Sequence, residues 1–171
     1  NKAVMKNIIL IGLPGCGKTT LGRLAAAELE MDFADCDEEI EKSCGKTVTE
    51  IFADCGENGF REIETEVLKS LLCRENTVIS TGGGIVERDE NVSELKKHGN
   101  VIYINRSVRE ICADIDTSGR PLLKDGAQRV ARLAERRNPL YRECAEVEIE
   151  NRGDIDGVVR KIIREVEKIN G

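Results

Sequence analysis

A chain of 171 residues has room for the core of one domain and little more, and 40% hydrophobic against 34% charged residues excludes wholesale disorder. With 32 acidic against 26 basic residues the net charge is −6, which excludes general binding to a nucleic-acid backbone but leaves room for a local anion pocket. No apolar run approaches the roughly 18 residues that span a membrane, and no apolar leader stands at the start, so a cytoplasmic protein without a membrane partner is expected. Seven cysteines with no C-x-x-C pair, beside the lone histidine His98, argue against zinc and for a reducing compartment.

Hydrophobic patterning alternates along the chain. Asn7–Ile11 reads as a fully buried strand and Thr19–Glu30 as a helix. Asp32–Asp35 is a second strand, and Asp37–Cys44 a short helix stopped by Gly45. Thr47 and Glu50 form a capping box that opens a helix to about Cys55. A separate amphipathic helix carries Phe60, Ile63, Val67, Leu68, Leu71 and Leu72. Thr77–Ser80 is a strand running into Gly82–Gly84. Asp89–His98 is a helix closed by Gly99, Val101–Ile104 a strand, and Ser107–Ile115 a helix. Residues 116–126 read as a loop, Ala127–Arg137 as a helix disturbed at Pro139, Val147–Ile149 as the last strand, and Ile155–Ile169 as the last helix. Strands alternating with helices predict a three-layer α/β/α protein with a parallel sheet, and chemistry in the loops beyond the strands' carboxyl ends.

The first such loop, Gly12-Leu13-Pro14-Gly15-Cys16-Gly17-Lys18-Thr19, fits G-x-x-x-x-G-K-[ST] between a strand and a helix. Gly12, Gly15, Cys16 and Gly17 would turn backbone N–H groups onto phosphate oxygens. Lys18 would reach the β- and γ-phosphates, Thr19 a magnesium ion, and Thr20 the α-phosphate. No N-K-x-D guanine reader is present, which leaves a small kinase as the reading that suits this length. Asp35 and Asp37 suit metal and acceptor, though they equally suit an acidic helix start continued by Glu38 and Glu39. Arg61 and Glu64 share a helix face, where the arginine would grip a carboxylate or form only a surface ion pair. Gly82 and Gly83 would offer bare N–H groups to a ligand. Arg120-Pro121-Leu122-Leu123 and Arg137-Asn138-Pro139-Leu140-Tyr141 complete the set.

Taken together in this order, the five motifs resemble the shikimate kinases of the P-loop class, over nearly the whole chain. The resemblance implies one kinase domain over 1–171 with the nucleoside monophosphate kinase-like fold and five parallel strands. It places an acceptor-binding segment at about 36–64 and a lid at about 116–126. It also implies transfer of phosphate from ATP to the 3-hydroxyl of shikimate with Mg²⁺. By the same resemblance Asp37 serves as base and Asp35 lies in the magnesium shell with Thr19. Arg61, Arg137, Gly82 and Gly83 bind shikimate, Lys18 and Arg120 act on the transferring phosphate, and the protein is a monomer. The alternatives are a gluconate-type kinase and a nucleotide-binding regulatory homologue.

One departure stands out. The family often has an arginine that stacks on adenine a few residues before R-P-L-L, where this chain reads Ile111-Cys112-Ala113-Asp114. Weak discrimination between bases is therefore expected, with Asn151 and Arg152 as substitutes. Cys16, at a helix N-terminus inside the phosphate loop, is expected to react faster than the other thiols.

Overall fold

In β1 (Asn7–Ile11) every residue is buried. Ile8 and Leu10 join one apolar cluster, Ile9 and Ile11 another, as the two-residue period of a strand covered on both faces requires. A computed structural model describes residues 5–117 and 124–171 and shows what covers those faces. On one side lie α1 (Lys18–Leu29) and α7 (Ile155–Asn170), which contribute Leu21, Ala25, Val158, Val159 and Ile162. On the other lie α3 (Val48–Leu72), α4 (Asp89–His98) and α6 (Lys124–Cys144), which contribute Leu68, Leu71, Leu95, Ala134 and Tyr141.

The remaining strands are β2 (Asp32–Asp35), β3 (Thr77–Ser80), β4 (Gly99–Asn105) and β5 (Val147–Glu150). They form one five-stranded sheet in the order β2-β3-β1-β4-β5, and every pairing is parallel. The chain leaves central β1 toward β2 and β3 on one side and later returns toward β4 and β5 on the other. The phosphate loop that follows β1 thus sits at the reversal of strand order, where sheets of this kind open a crevice.

Local signals placed several boundaries well. Gly45, with φ 66°, ends α2 (Cys36–Cys44), and Thr47 and Glu50 make the reciprocal capping box. The two helices expected before and after residues 56–59 are both present: they lie end to end within α3 and meet in a kink at Gly56, whose non-helical φ of 71° and ψ of −176° only glycine adopts at little cost. Other boundaries differ from the sequence reading. Gly99 caps α4 by bonding its N–H to the Leu95 carbonyl, but it also begins β4 by pairing with Asn7, so the strand starts two residues before Val101. Helix α5 (Val108–Thr117) and α6 narrow the loop expected at 116–126, and Gly126 falls in the first turn of α6. Pro139 does not end α6. It withholds one N–H, yet the buried Tyr141 and Cys144 beyond it hold the last turn on the core. A 3-10 turn, Ile85–Glu87, follows the triple glycine and had no signal in the periodicity.

Candidate active site

The phosphate loop turns on three glycines with positive φ: Gly12 at 150°, Gly15 at 82° and Gly17 at 97°. Gly17 immediately precedes α1, so the loop's N–H groups and the helix N-terminus converge on one anion-sized region. Lys18 is buried, and its ammonium donates to the carbonyls of Gly12 (2.7 Å) and Leu13 (3.0 Å). Asn151 fastens the loop from the β5–α7 connection by donating to the Cys16 carbonyl at 2.8 Å. The Cys16 side chain has no exposed surface and packs in the core with Leu21 and Ile104. The expected reactivity of its thiol is thus overturned for the folded state, because a reagent has no path to the sulfur.

Asp35 has two roles at once. One carboxylate oxygen caps α2 by accepting from the Glu38 N–H (3.1 Å), and the other accepts from the Thr19 hydroxyl (2.8 Å). The Thr19 hydroxyl also lies 3.3 Å from that of Ser80 at the end of β3. Thr19, Asp35 and Ser80 form an all-oxygen donor set of the kind a hard cation takes. No group of three or more His, Cys, Asp or Glu suited to a metal occurs among the described residues. A single carboxylate is the protein share that magnesium needs when phosphates and water supply the rest.

A cavity of about 370 Å³ opens between the phosphate loop, β2 and β3. Pro14, Gly15, Gly17, Lys18, Thr19 and Thr20 line one wall, and Asp35, Asp37, Thr81, Gly82 and Gly83 the other. Asp37, in the first turn of α2, has its pKa raised by burial and then by the charge of Asp35, with Lys18 and Arg61 pulling the other way. Cys36, between the two aspartates, is fully buried and its thiol is pushed well up, first by burial and then by Glu64.

The triple glycine is explained by what crowds it. A methyl group at Gly82 would lie 3.1 Å from both Asp37 Oδ1 and Glu64 Oε2. At Gly83 it would lie 2.6 Å from Pro14 Cδ and 3.2 Å from Arg137 Nη1. At Gly84 it would lie 2.6 Å from Arg61 Cζ. One short stretch of backbone thus touches the phosphate loop, the α2 aspartate and both arginines. Arg61 and Glu64 are not a surface pair: they bond at 2.8 Å with Glu64 1% exposed. Arg61 Nε and Glu64 Oε2 are buried without a partner among the described residues. Burial raises the Glu64 pKa, and its bond to Arg61 opposes the rise. Arg120 lies outside the described residues, as does most of the expected lid.

A second cavity, of about 490 Å³, adjoins the first on the α5 side, with Gly17 and Thr20 common to both. It is lined by Arg106, Glu110, Ala113 and Asp114 on one side and by Asn151, Arg152 and Gly153 on the other. Arg106 donates to the Gly15 carbonyl (3.0 Å) and to Asp114 (2.8 Å).

A family model described as shikimate kinase matches residues 14–167. The chain belongs to the shikimate kinase family. It is therefore a kinase, a transferase with a nucleotide site. A shikimate kinase of Clostridium botulinum (strain Eklund 17B / Type B) is 46% identical over 159 residues, covering 92% of this chain and 96% of the relative. A solved shikimate kinase from Acinetobacter baumannii in complex with shikimate superposes with a TM-score of 0.88 at 38% identity, covering 96% of this chain and 94% of that one. A gluconokinase from Sinorhizobium meliloti 1021 superposes with a TM-score of 0.60 at 14% identity, which shows a shared fold alone.

Sequence reasoning about this shikimate kinase family member missed Ser80, Thr81, Glu87 and Arg106. Ser80 and Thr81 carried no spacing signal, and Thr81 is tied to the Leu10 carbonyl 71 residues away. Arg106 stands just before α5, upstream of the place where a base-facing cation was sought.

Proposed function

We propose that this chain transfers the γ-phosphoryl group of ATP to the 3-hydroxyl of shikimate, giving shikimate 3-phosphate on the route to chorismate and the aromatic amino acids. The observation that carries the reading is the meeting of a phosphate-loop lysine, a carboxylate of raised pKa and two arginines around Gly82–Gly84. Two cations set apart from the phosphate loop suit an acceptor that bears its own carboxylate.

In this mechanism Gly12, Gly15, Cys16, Gly17 and Thr20 bind the phosphate chain through the loop and the start of α1. Lys18 exchanges its loop carbonyls for the β- and γ-phosphate oxygens and stabilises the transferring group. Arg61 and Arg137 hold the acceptor carboxylate, with the Gly82 and Gly83 N–H groups beside it. Asp37 takes the proton from the acceptor hydroxyl as it attacks, and a raised pKa makes it a better base than an ordinary carboxylate. Thr19, Asp35 and Ser80 would hold Mg²⁺, which when bound neutralises phosphate charge. Arg120 acts from the lid at about 116–126. Arg152, across the larger cavity from Ala113, faces the base.

The kinase unit is taken to span 1–171, with its acceptor segment at about 36–64. All seven cysteines are free, which supports a reducing, cytoplasmic setting. Among the described residues no helix is long and apolar enough to cross a membrane. The large apolar side chains exposed among them, Leu24, Phe52 and Ile155, stand on three different helices, which supports a monomer. A coupled assay with ATP, Mg²⁺ and either shikimate or gluconate tests the reading. Turnover with shikimate at least about a hundredfold above gluconate in kcat/KM is expected, and preference for gluconate overturns it.

A further inference from the structure

Helix α6 is tied to the glycine stretch by two side chains one turn apart. Tyr141 donates its hydroxyl to the Gly83 carbonyl at 2.6 Å, and Arg137 donates from Nε to Glu87 Oε1 at 3.3 Å. Residues four apart share a helix face, so the two contacts together fix both the depth and the rotation of α6 at this point.

Glu87 is unusually placed for an acidic side chain. It ends the 3-10 turn that starts immediately after Gly84, and its N–H bonds the Gly84 carbonyl at 3.0 Å. Its side chain is 11% exposed and that of Arg137 12%. Its second oxygen accepts from the exposed Arg136. A carboxylate held between two guanidinium groups and largely shielded from water is directional, unlike a surface pair.

The direction of that bond matters. Glu87 takes the Nε of Arg137, while its Nη1 faces Gly83, 3.2 Å from where a methyl group there would stand. The guanidinium is therefore gripped on one edge and offered on the other. Arg61 is handled in the same way by Glu64, which bonds one Nη and leaves the group packed against Gly84. Each acceptor-side arginine has its own shielded carboxylate.

We infer that Glu87 is a positioning residue for the acceptor: it sets the Arg137 guanidinium so that its Nη edge meets the acceptor carboxylate beside Gly83. The inference rests on the acceptor role of Arg137 given above. Glu87 itself touches neither substrate. Without it Arg137 keeps its charge but loses its fixed plane, so binding of the acceptor weakens while the phosphate-transfer step is spared.

The test is a double-mutant cycle of Glu87→Gln and Arg137→Lys, with shikimate KM, ATP KM, kcat and melting temperature measured for each protein. Glu87→Gln should raise shikimate KM about tenfold with kcat and ATP KM within about threefold, the signature of lost ground-state binding. In the Arg137→Lys background the same change should have little further effect, because the shared interaction is already gone. Glu87→Asp, which keeps the charge, should recover part of the loss. Additive effects in the cycle, or kcat and both KM values moving together, would mean that Glu87 serves stability only and overturn the inference. If Arg137→Lys raises shikimate KM while Glu87→Gln leaves it unchanged, the inference fails and the acceptor reading stands. If neither variant changes it, the acceptor reading of Arg137 fails first and the inference falls with it.

Discussion

Asp37 is asked to be anionic in a place that disfavours anions. Burial and the neighbouring Asp35 both raise its pKa. The folded state therefore binds a proton that the unfolded chain releases, over the interval from the ordinary value of 3.8 up to the raised one. Stability falls as pH rises through that interval and stays reduced above it. Asp37→Asn removes the penalty. The variant is expected to melt at a higher temperature than the parent at pH 7, with the gap closing as pH approaches 4. Its kcat should fall by roughly 10²–10⁴ with shikimate still bound, since the shape remains and the proton acceptor does not. Calorimetry and steady-state kinetics on the one protein check both halves. A kcat within a few-fold of the parent would leave Asp37 as a helix-start residue only. In the parent, the acid limb of kcat/KM against pH should lie above the range of an ordinary aspartate.

Among the elements, the connection from β3 through Gly82–Gly84 into the 3-10 turn meets the phosphate loop, Asp37 of α2, Arg61 of α3 and Arg137 of α6 at once. Its glycines are required by approach, not by dihedral angle, since none of the three has positive φ. Gly84→Ala sets a methyl against the Arg61 guanidinium, which cannot swing freely because Glu64 holds it at 2.8 Å. Shikimate KM should rise about tenfold or more from that displacement, with ATP KM changed far less. Crystallography of the variant should find Arg61 moved, and an unmoved arginine would refute the account. This is also the scale at which the sequence was most and least readable. The phosphate loop, the capping box at Thr47 and the stop at Gly45 depend on residues within a few positions of each other, so their chemistry is written in adjacent letters. The bond from Arg137 to Glu87 spans 50 residues, and neither residue's spacing hints at the other. Pro139 misled for the opposite reason: a strong local rule was outweighed by two buried side chains farther along the same helix. Arg61 and Glu64 were recognisable as a pair, but only packing shows them to be buried.

At the scale of the whole molecule, the parallel sheet brings the connections that follow all five strands to one edge. The larger cavity is shared between the phosphate loop, the start of α5 and the β5–α7 turn, and among the described residues its lining carries no aromatic side chain. Asn151 is already engaged with the Cys16 carbonyl, and Arg106 with Gly15 and Asp114, so neither is spare for reading a base. Phosphates common to every nucleoside triphosphate should then supply most of the affinity. GTP is expected within about tenfold of ATP in kcat/KM, a difference of only ~1.4 kcal/mol. Discrimination above about a hundredfold would show a base contact after all, and its loss in Arg152→Ala would place that contact.

The bend at Gly56 has a consequence for how the protein breathes. Ile40, Ile51 and Phe60 form a buried cluster of their own, apart from the two that sandwich the sheet. So small a core can hold α2 and the first half of α3 only weakly against opening, and Gly56 gives them a joint about which to move. Amide hydrogen exchange should therefore be uneven: protons of residues 38–55 exchange well before those of β1 and β4, at a free energy below that of global unfolding. Shikimate, bridging Asp37 before the joint and Arg61 after it, should slow exchange in this segment more than ATP does.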